Sequence, residues 1–226
     1  MSQQRQRTKA TSRSRRLNEA LPRRRRLAGR EEKSAARREA ILAAALDEFS
    51  ARGFAATRLD DVARRAGVAK GTIYLHFADK EALFHDLVRT KLGPLMSSLD
   101  QMRAIDRPIR SLLEQFADML ASILGTRRRE VAYLVISEGA RFPQLAEFYY
   151  REVIERGMTA LRAILERAID RGEIPNGALA HFPQLVVAPG ILAIIWASLF
   201  DRFHHLDADA MIRTHIEILL GQRSAS

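Results

Sequence analysis

The sequence predicts an all-α protein in two parts, a small N-terminal unit of three helices and a larger helical body. Three observations predict it. Apolar residues recur at helical spacing almost throughout, and no convincing alternating strand appears. Glycine and proline are sparse, 12 and 7 residues of 226, and they fall mostly between the periodic segments. Residues 57–83 read as two short helices joined by a tight turn and followed at once by a third, which is a helix-turn-helix. The length has room for one small domain plus a larger one, and 47% hydrophobic residues supply a sizeable core.

Charge divides the chain at about the same place. Residues 1–33 carry twelve of the 37 Lys/Arg and three of the 27 Asp/Glu, so they hold nearly all of the net +10. This arm includes Arg23–Arg26 in a row and has no apolar run of the kind a secretory signal needs. It reads either as a solvated, disordered tail or as a basic arm that adds phosphate attraction beside a DNA-binding unit. The chain has no cysteine, which excludes disulfides, thiolate metal sites and cysteine nucleophiles and fits a reducing cytoplasm.

In order, Ser34 is the expected N-cap of a helix running from Ala35 to Ser50, with Ile41, Leu42, Ala45, Leu46 and Phe49 as its apolar stripe. Gly53 stops it, and Phe54 packs beneath. Thr57 and Asp60 resemble a capping box opening the next helix, which buries Val62, Ala63 and Ala66 and ends at Gly67. Val68 plugs the corner. The following helix, from about Lys70 to Phe77, turns Ile73 and Phe77 inward and leaves Gly71, Thr72, Tyr74 and His76 outward or sideways. A glycine, a hydroxyl, a phenol and an imidazole suit close backbone approach and hydrogen bonds to phosphates and base edges. Asp79 caps a long helix carrying Leu83, Phe84, Leu87, Val88 and Leu92, with Lys80 in its first turn, in reach of a phosphate.

Asp-Val-Ala-x-x-Ala-Gly-Val followed by Gly-Thr-Ile-Tyr-Leu-His-Phe-x-x-Lys-Glu-x-Leu resembles the DNA-binding domain of the TetR/AcrR family of bacterial transcriptional regulators, over about residues 36–84. The resemblance implies that Thr72, Tyr74, His76 and Lys80 contact DNA. It puts Lys70 and Gly71 at the start of the recognition helix, and Thr57 and Arg58 near backbone phosphates. Residues 135–149, Val-Ile-Ser-Glu-Gly-Ala-Arg-Phe-Pro-Gln-Leu-Ala-Glu-Phe-Tyr, are similar to the C-terminal regions of AefR-like members.

Beyond Leu92, Gly93-Pro94 predicts a kink or break in the long helix. Asp106 is the expected cap of the next helix, with Pro108 in its first turn and an end at Gly125. Thr126 would cap another, to about Ala140; Arg127, Arg128 and Arg129 in its first turn oppose the dipole and read as a solvated patch. After a break at 141–144, a long helix runs to about Arg171 and ends at Gly172. An apolar helix over 180–203 and a last one from Asp207 to Leu220, stopped by Gly221, complete the chain. Phe182–Phe200 is 19 residues without a charge, long enough for a span, but Gln184, Pro183, Pro189 and Gly190 favour a helix buried at an oligomer interface.

By the resemblance, the last two helices pair with those of a second copy through Ile191, Ile195, Leu199, Ile212, Ile216 and Leu219. The body would hold a small-molecule pocket, assigned here to Phe116, Met119, Tyr133, Phe148, Tyr149 and Trp196. His204, His205 and His215 with Asp207 and Asp209 match no familiar metal spacing, and no metal or cofactor is expected. No phosphate loop or nucleophile elbow is visible, so no enzyme is expected. The expected domains are the arm 1–33, the helix-turn-helix 34–80 and the body 81–226. The expected function is a cytoplasmic, homodimeric regulator, most simply a repressor. It would bind a near-palindromic double-stranded operator and be released by a small hydrophobic effector. The alternatives are a non-specific nucleic-acid binder driven by the arm and a protein anchored in a membrane through 182–200.

Overall fold

The computed structural model describes residues 32–174 and 177–221, so of the basic arm only Glu32 and Lys33 lie within the described residues. All regular structure there is helical: α1 (32–56), α2 (Leu59–Arg65), α3 (Lys70–His76), α4 (Lys80–Ala104), α5 (Ile109–Leu124), α6 (Arg128–Glu138), α7 (Pro143–Tyr149), a π-helical turn (Tyr150–Glu155), α8 (Arg156–Asp170), α9 (Ala178–His181), α10 (Gln184–Leu199) and α11 (Ala208–Leu220).

The head is built around one core. Ile41, Leu42, Ala45, Leu46 and Phe49 of α1 meet Val62 and Ala63 of α2, Ile73 of α3, Phe77, and Leu83, Phe84, Leu87 and Val88 of α4, all buried. Phe54 packs on Phe49 with ring centroids 5.4 Å apart. Ion pairs Arg38–Asp86 and Lys91–Glu39 clamp α1 to α4. The same core continues into the body through Val131 and Leu134 of α6 and Leu145 of α7. A second core joins Leu99 and Met102 of α4 to α5, α8 and α11.

Two side-chain caps form as expected: Asp79 accepts from the Ala82 N–H at 2.7 Å and Asp207 from the Ala210 N–H at 3.0 Å. Four do not, because other partners win. Ser34 lies inside α1, which is already helical at residue 32. Thr57 donates backward to the Gly53 carbonyl at 2.8 Å, and Arg58 takes the N-cap position of α2. Thr126 donates to the Ser122 carbonyl at 2.9 Å, finishing α5 rather than opening α6. Asp106 pairs with Arg171, while the Ile109 N–H at the start of α5 donates to Glu173 across the body. The orphan amide at that end is therefore met by tertiary structure.

Of the kink or break expected at Gly93-Pro94, the break does not occur. Helix α4 runs through Pro94. The single helix expected over 180–203 is divided instead: α9 ends at His181, and α10 starts after Pro183. Proline inside α10 is accommodated by a substitute donor. Pro189 has no N–H for the Leu185 carbonyl, and the imidazole Nε2 of His215 on α11 lies 2.7 Å from that oxygen. Gly190 permits close approach to α5, since a Cβ there would lie 3.3 Å from Leu120. No described helix is long and apolar enough to cross a membrane.

The expected interface set is split by the packing. Ile212 and Ile216 are 1% and 3% exposed and face inward, because α11 lies against α5. Leu219 is half-buried against the same core, and Ile195 is half-buried. Ile191 and Leu199 are exposed, together with Leu185 and Leu192 on α10 and Ile218 on α11.

Candidate functional site

Helix α3 is held by its one buried residue, Ile73, and by Phe77 just past its end, and presents nearly everything else. Gly71, Tyr74, Leu75 and His76 are exposed and Thr72 is half-buried. The turn before it depends on Gly67, at φ 66°, where a side chain would be strained. A short stub of helix with an open polar face, fixed by a rigid core, is able to enter a groove and offer side chains to base edges.

The acids of α2 organise this face. Asp60 accepts from Lys70 at 2.7 Å and from the Tyr74 hydroxyl at 3.3 Å. The Lys70 contact holds the Asp60 carboxyl below the usual range, and Asp60 in turn raises the Lys70 ammonium. Asp61 pairs with Arg52 and Arg64. The two carboxylates beside the recognition helix are thus neutralised within the head. Asp60 as the tether of Lys70 and Tyr74 was not foreseen, although its place on the first turn of α2 was.

Two expected DNA contacts have other work. Thr57 is 2% exposed and its hydroxyl is spent on Gly53, so it shapes the α1–α2 corner and offers no side-chain contact. Lys80 donates to the Phe54 and Ala55 carbonyls at 2.8 and 2.9 Å, with the ammonium 4.7 Å from the Phe54 ring. Of its three N–H groups one remains for a phosphate. Arg58 is exposed.

The body contains an apolar cavity with about 100 Å³ of free interior. Leu92, Leu95, Met96 and Leu99 of α4 form one wall, and further residues come from α5, α6, the π turn, α8 and α10. Of the six residues assigned to a pocket, Phe116, Met119 and Tyr149 line it. Tyr133 does not; its neighbour Ala132 turns that way instead. Phe148 stacks on His85 with centroids 3.6 Å apart, and Trp196 lines a separate crevice near the end of α10. Tyr149 is the one polar side chain in the lining, and burial pushes its phenol up to about 12. It stays a neutral hydroxyl at any ordinary pH.

Head and body meet through a polar seam as well as the shared core. Arg127, expected as a solvated patch, reaches Asp47 of α1 at 2.7 Å and Glu130 at 2.8 Å. Glu130 also accepts from Ser50 of α1 at 3.1 Å. The Arg127 bond keeps the Glu130 carboxyl below its usual range. On the other flank, His85 and Arg89 of α4 approach the Phe148 ring, and Arg89 pairs with Glu152 of the π turn at 3.0 Å. Burial, with Arg89 second, depresses the His85 imidazole. The histidine and aspartate set weighed as a metal cluster is dispersed: the His204 carbonyl accepts from Trp196, His205 meets Asp201, and Asp209 meets Arg213.

Residues 41–87 match the family model described as bacterial regulatory proteins, tetR family, and residues 107–214 match the tetracyclin repressor-like C-terminal domain. The HTH-type regulator YhgD of Bacillus subtilis, itself uncharacterised, is 30% identical over 166 residues, which is 73% of this chain and 83% of YhgD. The HTH-type transcriptional regulator RutR of Escherichia coli is 30% identical over 173 residues, 72% of each chain. Among solved structures, FadR of Bacillus subtilis in complex with stearoyl-CoA superposes with a TM-score of 0.66 at 22% identity, over 81% of this chain and 97% of that one. A SmeT–triclosan complex superposes with a TM-score of 0.68 at 22% identity, over 82% and 90%.

Proposed function

The chain belongs to the TetR family of bacterial transcriptional regulators, and from that premise we propose that it is a homodimeric repressor whose α3 reads a near-palindromic operator and whose body cavity takes a lipophilic effector that releases it. Members of the family bind DNA and small-molecule effectors, and it is not a family of enzymes. The observation that carries the reading is the outward face of α3. Exposed Tyr74 and His76 and half-buried Thr72 can offer hydrogen bonds to bases, Lys70, Arg58 and the remaining N–H of Lys80 can meet phosphates, and Gly71 leaves room for a duplex. We divide the chain accordingly into a basic arm 1–33, a DNA-binding unit 34–80 and an effector and dimer body 81–226.

The exposed apolar residues Leu185, Ile191, Leu192, Leu199 and Ile218 support pairing of α10 and α11 with a second copy. Two recognition helices would then fall about 34–36 Å apart in successive major grooves. The cavity supports a lipophilic molecule with one hydrogen-bonding group to meet Tyr149. It is smaller than the roughly 300–1,000 Å³ of a filled ligand site, so the effector has to push it open. Met96, Met119 and Met158 make the lining adaptable. One wall is the body half of α4, whose other half carries the head core. Widening the cavity therefore moves α4 and with it the spacing of the two α3 helices. An effector releases DNA only to the extent that it prefers the widened form. This reading puts the protein in the cytoplasm, where its DNA is.

The test is a fluorescence-anisotropy titration of the full chain against promoter fragments flanking its own gene. Thr72→Ala and Tyr74→Ala are expected to remove sequence-specific binding while leaving the helical circular dichroism unchanged. Retention of specific binding by both variants would overturn the site. Deletion of 1–33 is expected to weaken binding and flatten its salt dependence without removing specificity. Complete loss of binding there would favour the arm-driven alternative.

A further inference from the structure

Leu75 has the highest exposure of any large hydrophobic side chain among the described residues, at 85%, and nothing in the protein's own packing uses it. Its direction on α3 is as informative as its exposure. At about 100° per residue, Leu75 points about 160° from Ile73, and Phe77 is buried just past the end of the helix. Those two residues are the ones that anchor the helix. Gly71 and Thr72 lie within about 40–60° of Leu75, whereas Tyr74 and His76 are about 100° away on either side. The side chain that reaches furthest from the head is therefore the leucine.

Gly71, one turn earlier on the same line, supports the same geometry from a second direction. Its φ is not positive, so its backbone conformation does not require glycine. A Cβ placed there would meet no atom of the protein within 4 Å. The missing side chain thus leaves a shallow place on the outer face of α3, and only something outside the chain can use it.

Given the DNA-binding reading above, on which this inference rests, we propose that Leu75 is a specificity-determining residue that packs on a thymine C5-methyl group at the floor of the major groove. A leucine side chain has no donor or acceptor. Guanine, cytosine and adenine present hydrogen-bonding groups in the major groove, and thymine alone adds a methyl group. Pressing an apolar side chain on the N7, O6, N6 or N4 groups strips them of water without replacing the bond. Over a thymine methyl the same contact buries apolar surface on both partners. Each half-site then carries a T·A pair at the position under Leu75, flanked by the pairs within reach of Thr72, Tyr74 and His76.

The experiment uses the full chain and an operator selected from a randomised duplex pool. Each thymine is replaced in turn by deoxyuridine, which removes only the methyl group, and affinity is read by anisotropy at fixed salt. One thymine per half-site is expected to respond, with a loss of about fourfold per methyl. With Leu75→Ala the same replacement is expected to change affinity by less than a factor of about 1.5, the thymine preference in selection having relaxed at that position. At 85% exposure, the substitution leaves the fold intact, and circular dichroism checks this. The proposal is overturned if no thymine responds, or if the responsive thymine is equally sensitive with Leu75→Ala. If no duplex is bound sequence-specifically, the DNA-binding reading falls and takes this inference with it. Specific binding without a methyl effect removes this inference alone.

Discussion

The outer face of α3 and the cavity of the body differ in how they are assembled. The face comes from seven consecutive residues on one short helix, fixed by Ile73 and by Phe77 next to it. The cavity is assembled from α4, α5, α6, α7, the π turn, α8 and α10. The first is a local object displayed on a rigid core. The second is a tertiary object whose shape depends on how those helices lie. In the proposed function that difference is useful, because a reading head has to keep its shape while an effector site has to yield.

Four substitutions and one change of conditions act on that contrast, the largest first. Phe84→Ala opens a cavity under all three helices of the head and is expected to destabilise by about 3–5 kcal/mol. Chemical denaturation should show it, with DNA binding lost through unfolding of the head. Gly157→Leu places a side chain into the cavity proposed to take the effector, near Leu99. It should leave operator affinity within about twofold while raising the effector concentration for half-release by about tenfold or more. Anisotropy with a panel of long-chain and aromatic lipophiles reads both quantities.

Arg127→Gln removes the bridge from α6 to Asp47. The pair is half exposed, so a cost of about 1 kcal/mol or less is expected. Its more informative effect is on coupling: release by effector should change while affinity for DNA alone does not. The smallest effect is with pH. The His85 imidazole is depressed in the folded chain. The unfolded chain therefore holds the proton more tightly. Stability is complete above the ordinary histidine value of about 6.5 and declines as the pH falls through it. Melting temperatures between pH 7.5 and 5.5 should fall in the native protein and fall less with His85→Phe, which keeps the stack on Phe148.

The same contrast explains what was legible in the sequence. Asp79 and Asp207 cap their helices as expected because their partners lie three residues away. Thr57, Asp106 and Thr126 did not, because Gly53, Arg171 and Ser122 outbid the expected amides; two of those choices depend on a neighbouring turn and the third on a residue far along the chain. Ile212 and Ile216, expected at the interface with a second copy, are instead buried within the chain, where α11 lies against α5; their apolar type alone does not say which partner covers them. Tyr133 and Ala132 differ by one step of the helix, and only packing decides which faces the cavity. Leu75 was within reach of sequence reasoning. Inward Ile73 and Phe77 determine its direction, but a leucine carries no polar group to mark it as a contact.

On the proposed function, the outer face of α3 is kept open for DNA and not for the fold. Gly71→Ala tests it most directly, with melting temperature and operator affinity measured on the same preparation. A Cβ at this site meets nothing in the protein, and alanine favours helix over glycine by about 0.8–1 kcal/mol. The melting temperature should be equal or higher, and operator affinity should be lower by at least about tenfold. Unchanged affinity, or a fall in stability that accounts for the loss of binding, would contradict it.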